Sequence, residues 1–176
     1  MRRELTRETL RELMEELART APNGSFRIYV VGGGTAVLAG WRSSTIEADL
    51  YSERDEVFRD IQGIKERLRL NIEFARPEQF VPPLAGSEQR HVFIDRIGDV
   101  EFHHYDPYAQ LLSKIVRGFR GDMLDANRFV ASGMVDSPRF RSLVGEIPES
   151  AYAKYPNLSR TAVLAAVNEF LSKTGP

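Results

Sequence analysis

The chain contains no cysteine, which removes a disulfide framework, a thiolate zinc site and a cysteine nucleophile together. It holds no stretch approaching the ~20 apolar residues of a membrane span. Net charge is equally scarce, −1 from 24 Lys+Arg and 25 Asp+Glu, so a nucleic-acid contact would have to rest on a local patch and not on the field of the whole molecule. Internal repeats and low-complexity tracts are missing too. The opening residues, Met1-Arg2-Arg3-Glu4-Leu5-Thr6-Arg7-Glu8, alternate charges where a signal peptide needs an apolar run. The expectation is a soluble, cytoplasmic protein with no membrane partner.

What is present is ordinary globular material: 176 residues, 42% hydrophobic and 28% charged, enough for one domain with a real core. Leu10, Leu13, Met14 and Leu17 recur at helical spacing and predict an amphipathic helix over 4–20, closed by Ala21-Pro22-Asn23-Gly24-Ser25. Phe26 to Val31 reads as a strand that runs into three glycines. A short helix from Thr35 to Ala39 and a strand from Thr45 to Tyr51 follow. A surface helix over 53–69, a strand over Leu70–Phe74, a Pro-containing loop over 76–90 and a hairpin about Arg96-Ile97-Gly98 complete the first two thirds. Asp106-Pro107 opens a helix that continues through Phe119. Helices near 122–132 and 158–173 finish the chain, with Pro138, Pro148 and Pro156 breaking the segments between them. The predicted class is α+β: an N-terminal helix (1–24), a sheet core (25–105) built as a small mixed sheet, and a helical C-terminal region (106–176) belonging to the same domain.

Chemistry concentrates between Gly32 and Leu50. Gly32-Gly33-Gly34 lets backbone N–H groups approach a phosphate, and Glu47 and Asp49 alternate on the strand beyond. Strand alternation puts both acids on one face with Cα atoms roughly 6–7 Å apart, while Ile46, Ala48 and Leu50 turn to the core. Two such carboxylates suit Mg²⁺, alone or as a two-metal pair. Either feature alone has a bland reading, an exposed edge strand or a tight turn. Together, with Arg42, Ser43 and Ser44 between them as phosphate donors, they point to a nucleotide site. A dinucleotide-binding oxidoreductase fails, because Val37 stands where a third small residue is required and the acids arrive too early.

Gly33-Gly34-Thr35-Ala36, then Gly40-x-Arg42-Ser43-Ser44-Thr45-x-Glu47-x-Asp49-Leu50, resembles the polymerase-β-type nucleotidyltransferase superfamily. The likeness is greatest to the bacterial minimal nucleotidyltransferases of the abortive-infection toxin type and their relatives. The segment Lys114-Ile115-Val116-Arg117 to Asp122-Met123-Leu124-Asp125 is similar to the lysine, arginine and Asp-x-x-Asp element that follows the sheet in those proteins. The resemblance spans about residues 25–132 and makes 25–105 a nucleotidyltransferase-like sheet core. One departure stands out, since the family's first acid is usually Asp and this chain has Glu47.

The resemblance implies a nucleoside triphosphate held with Mg²⁺ (or Mn²⁺) on Glu47 and Asp49. Its phosphates would lie near Gly33, Gly34, Arg42, Ser43 and Ser44, and Lys114 and Arg117 would clamp the phosphate tail. A third acid is expected from a later strand; Glu101 is the candidate base, with Glu73 as competitor. Adjacent His103 and His104 point to opposite faces and do not share an ion. The implied reaction moves a nucleoside monophosphate to a hydroxyl of tRNA or protein, in a toxin–antitoxin or phage-defence setting with an antitoxin-like partner. The alternative is an inactive module of the same fold that binds nucleotide, RNA or a protein.

Overall fold

A computed structural model describes residues 1–174. Thr6 caps the first helix, α1 (Arg7–Thr20), by a reciprocal hydroxyl–backbone box with Thr9, and Leu10, Leu13, Met14 and Leu17 are buried along one stripe. Strand β1 (Phe26–Val31) runs into α2 (Gly33–Leu38), and β2 (Ala48–Tyr51) returns. Next come α3 (Ile61–Leu68), β3 (Ile72–Phe74), β4 (Val92–Ile97) and β5 (Val100–His104). The sheet order is β3-β2-β1-β5-β4. β1 is antiparallel to β2 and parallel to β5, β3 is parallel to β2, and β4 is antiparallel to β5. The α+β class and the mixed sheet are as expected.

Two compact units form, a sheet unit of Met1–Arg76 with Val92–Tyr105, and a helical unit of Pro77–His91 with Asp106–Pro176. In the sheet unit, Phe26, Ile28, Val30, Ala48, Leu50, Ile72 and Phe102 pack against the apolar stripe of α1 and against Val57 and Ile64. In the helical unit, α4 (Pro107–Arg117), α5 (Arg120–Ala131), α6 (Ser137–Gly145) and α7 (Arg160–Thr174) surround buried Leu111, Leu112, Phe129, Phe140, Val163 and Val167. No helix among the described residues is long and apolar enough to cross a membrane.

Several boundaries differ from expectation for identifiable reasons. The strand predicted from Thr45 starts at Ala48, because Thr45 makes both backbone bonds of a bridge to Leu5 (2.8 and 3.0 Å). Ile46 is consequently 72% exposed and not a core residue. The helix expected over 53–69 is a 3-10 turn at Asp55–Phe58 followed by α3. The helix expected to run through Phe119 stops at Arg117, where Gly118 takes φ 67° and closes it with a bond from its N–H to the Lys114 carbonyl. Pro138, expected to break structure, sits in the first turn of α6 behind the Asp136 cap, where its missing N–H costs nothing.

Charge also ties α1 to α3. Glu16 accepts from Arg19 and from Arg67 of α3, each at 2.8 Å, and the bond from Arg19, then that from Arg67, hold its carboxyl down to about 2. A depressed carboxyl stabilises the fold above its unfolded pKa, and that contribution is lost as pH falls through the folded value. Glu16→Gln is therefore expected to flatten the decline of the urea midpoint between about pH 5 and pH 2. An unchanged decline would remove Glu16 from the acid sensitivity.

Candidate functional site

The three glycines after β1 are each required for a different reason. Gly32 takes φ 62° and ψ −129°, a backbone that side chains rarely adopt, and a Cβ there would come within 3.0 Å of Asp49 Oδ2. At Gly33 an added Cβ would meet the Thr45 side chain, 2.9 Å from its Cβ, and at Gly34 it would meet Val30 Cγ1 at 2.8 Å. The turn thus closes directly onto the acid strand. Gly33→Ala is expected to cost about 1–3 kcal/mol by overpacking, read from urea unfolding. Adding Thr45→Ala should recover part of the loss, and no recovery would place the strain elsewhere.

Sheet register arranges the opposite, non-core face in rows. Asp49 stands level with Val31 on β1 and with Glu73 on β3. Paired residues on neighbouring strands point to the same side, so Asp49 and Glu73 project together about 5 Å apart at the backbone. Glu47 lies one residue ahead of β2 and is partly exposed. The next row is aromatic: Tyr51, Tyr29, His103 and Phe93 occupy successive strands, with ring centroids 6.0, 6.3 and 5.4 Å apart along the series. Beyond it lies a charged row of Arg27, Glu101 and Arg96.

That register decides the fate of Glu101. It shares a face with Asp49, but two strand spacings and four residues separate them, roughly 16 Å. Arg27 donates to it at 3.0 Å and His103 Nε2 lies 3.3 Å away; the Arg27 bond, then the His103 bond, hold its carboxyl below the usual range. His103 itself is pushed down by burial, against the raising effect of Glu101. Glu101 instead helps to wall a cavity of about 430 Å³, shared with Arg27, Tyr29, Arg54, Arg96 and Asp99. The structure therefore brings Glu73, not Glu101, to the acid row. Sequence spacing carried no signal for this, since only the parallel β2/β3 register reveals it.

Arg42, Ser43 and Ser44 lie in the segment joining α2 to the acids. The N–H groups of Trp41 and Arg42 bond back to the Ala36 carbonyl at 2.8 and 3.3 Å, which fixes the start of this segment against α2. Trp41 is only partly buried, and Arg42 and Ser43 are exposed.

Lys114 and Arg117 belong to the helical unit. Lys114 is 6% exposed, and its Nζ lies 3.4 Å from Asp122 and 3.2 Å from Asp125. Arg117 stacks between the Phe80 and Phe119 rings, 5.5 Å from each, and approaches Asp122 at 3.5 Å. Lys114 with Asp122 and Asp125 thus forms a largely buried ion cluster joining α4 to α5, with exposed Arg117 at its edge. Within the same unit, buried Asp106 caps α4 and receives the Arg90 guanidinium at 2.7 Å.

The oxygen donors of the sheet unit fit a hard divalent cation. Among the described residues no three acidic or imidazole side chains gather into a closed metal cage. One or two carboxylates completed by substrate phosphates is the usual arrangement for Mg²⁺, and Asp49 with Glu47 or Glu73 would be the residues to hold such an ion.

A mixed sheet whose glycine turn closes on an acidic strand is the frame of a nucleotidyltransferase. The chain belongs to the family described as "Nucleotidyltransferase of unknown function (DUF6036)", which it matches over residues 8–174. No curated protein and no solved structure gives a significant match.

Proposed function

We propose that the sheet unit binds a nucleoside triphosphate with Mg²⁺ or Mn²⁺ and transfers its nucleoside monophosphate to an acceptor hydroxyl. The observation that carries this reading is the contact geometry of Gly32 with Asp49, where a positive φ and a Cβ position 3.0 Å from Oδ2 favour glycine and set a backbone turn against a carboxylate. Asp49 and Glu47 hold the cation, and Gly33, Gly34, Arg42, Ser43 and Ser44 line the phosphate path. The cation, when bound, neutralises charge on the phosphates. The acceptor oxygen forms a bond to the α-phosphorus, the bond to pyrophosphate breaks, and Glu73 is the neighbouring carboxylate able to accept the hydroxyl proton. The resemblance to abortive-infection toxins supports an RNA or protein acceptor and an antitoxin-like partner.

The second reading is an inactive nucleotide-binding module. It is favoured by the position of Glu47 ahead of the strand and by the separation of Glu101 from the acids. Incubation with α-labelled ATP, CTP, GTP and UTP, Mg²⁺ or Mn²⁺, total tRNA and a protein pool separates the two. Metal-dependent labelling supports transfer. No labelling, from a pool that a control enzyme labels, overturns it in favour of the module.

A further inference from the structure

The side of the glycine turn away from Asp49 is held by a buried histidine. His104 pairs with Val30 in the β1/β5 register and is 6% exposed. Its Nδ1 lies 3.0 Å from Thr35 Oγ1, and Thr35 Oγ1 donates to the Val30 carbonyl at 3.1 Å. A hydroxyl has one proton. With that proton directed at Val30, whose carbonyl also accepts the Tyr105 N–H at 3.0 Å, the Nδ1–H tautomer of His104 completes the arrangement. Burial, and then the charge of neighbouring His103, keep the ring at about 4, so at neutral pH it has one N–H.

The result is a continuous hydrogen-bonded chain from His104 Nδ1 through the Thr35 hydroxyl to the Val30 carbonyl. Val30 ends the core side of β1 one residue before Val31, and Thr35 lies in the first turn of α2. The chain therefore spans Gly32-Gly33-Gly34 from strand to helix. Asp49 bounds the same turn from the other side.

We infer that His104 is a positioning residue for the phosphate-binding turn, acting through Thr35 to hold the Gly33 and Gly34 amides where a nucleoside triphosphate meets them. This rests on the nucleotide reading above. The test exploits ring geometry. Asn places an N–H donor where Nδ1 lies, whereas Gln places one nearer Nε2. Isothermal titration of the four nucleoside triphosphates with Mg²⁺ against the whole chain is expected to give H104N within about 3-fold of native affinity and H104Q at least about 10-fold weaker. Thr35→Val should match H104Q. Equal affinities for H104N and H104Q overturn the inference.

Amide exchange at Gly33, Gly34 and Thr35 reads the same question without a ligand. It should be faster in H104Q and near native in H104N, and equal exchange in the two variants likewise overturns the positioning role. If the native chain binds none of the four nucleotides, the nucleotide reading falls, while exchange still judges the hold of His104 on the turn.

Discussion

Asp49→Asn is expected to remove nucleotidyl transfer, by at least about 10²-fold in kcat, while leaving the fold intact. The substitution keeps size and shape and deletes only the negative charge. Asp49 is the acid fixed by two neighbouring strands and by the Gly32 turn, so on the proposed reading its replacement takes the best-positioned ligand from the cation. Glu47→Gln should cost less, because that residue lies ahead of the strand. Glu73→Gln should lower kcat with little change in nucleotide affinity if it receives the proton. The measurements are label transfer from an α-labelled triphosphate and a thermal melt for each variant. An Asp49→Asn chain that transfers as the native one does would remove the acid row from the chemistry.

The largest stability effect is expected at Lys114. Lys114→Met removes the ammonium that bridges Asp122 and Asp125, the latter 3% exposed, and so takes the nearest cation from a buried carboxylate. Breaking a buried ion pair from one side typically costs about 3–5 kcal/mol. Urea unfolding of the whole chain reads it. Replacing the full cluster, K114M with D122N and D125N, is expected to restore much of the loss, since neutral amides tolerate burial far better than unpaired charges. A single K114M chain that melts like the native one but no longer transfers nucleotide would instead assign the lysine to phosphate binding.

The local chemistry was legible in the sequence wherever a residue type has one physical use. Three glycines after an apolar β run announced the turn, E-x-D announced the acids, and Asp106-Pro107 announced α4. What stayed illegible depends on pairings between distant segments. Ile46 reads as a core residue until Leu5 is seen to take Thr45 out of the strand. Glu101 reads as the third acid, ahead of Glu73, until the order β3-β2-β1-β5-β4 places Glu73 beside Asp49 and Glu101 across the face. The Lys114 element reads as a phosphate clamp until α5 brings both aspartates onto the amine. Gly118 between two helical runs, whose positive φ ends α4, and Asp136 ahead of Pro138, which caps α6, are local signals of the same legible kind.

The parallel pairing of β1 with β5 also governs how the chain reaches its fold. Arg27 and Glu101 are 74 positions apart, and the intervening stretch includes Pro77–His91, which joins the other unit. Glycine turn, acid strand and α1 can assemble early from near neighbours, but the sheet closes only after residue 104 is available and a long loop has been ordered. Such non-local closure slows folding, so the amides of β1 facing β5 are expected to gain exchange protection later in refolding than those of α1.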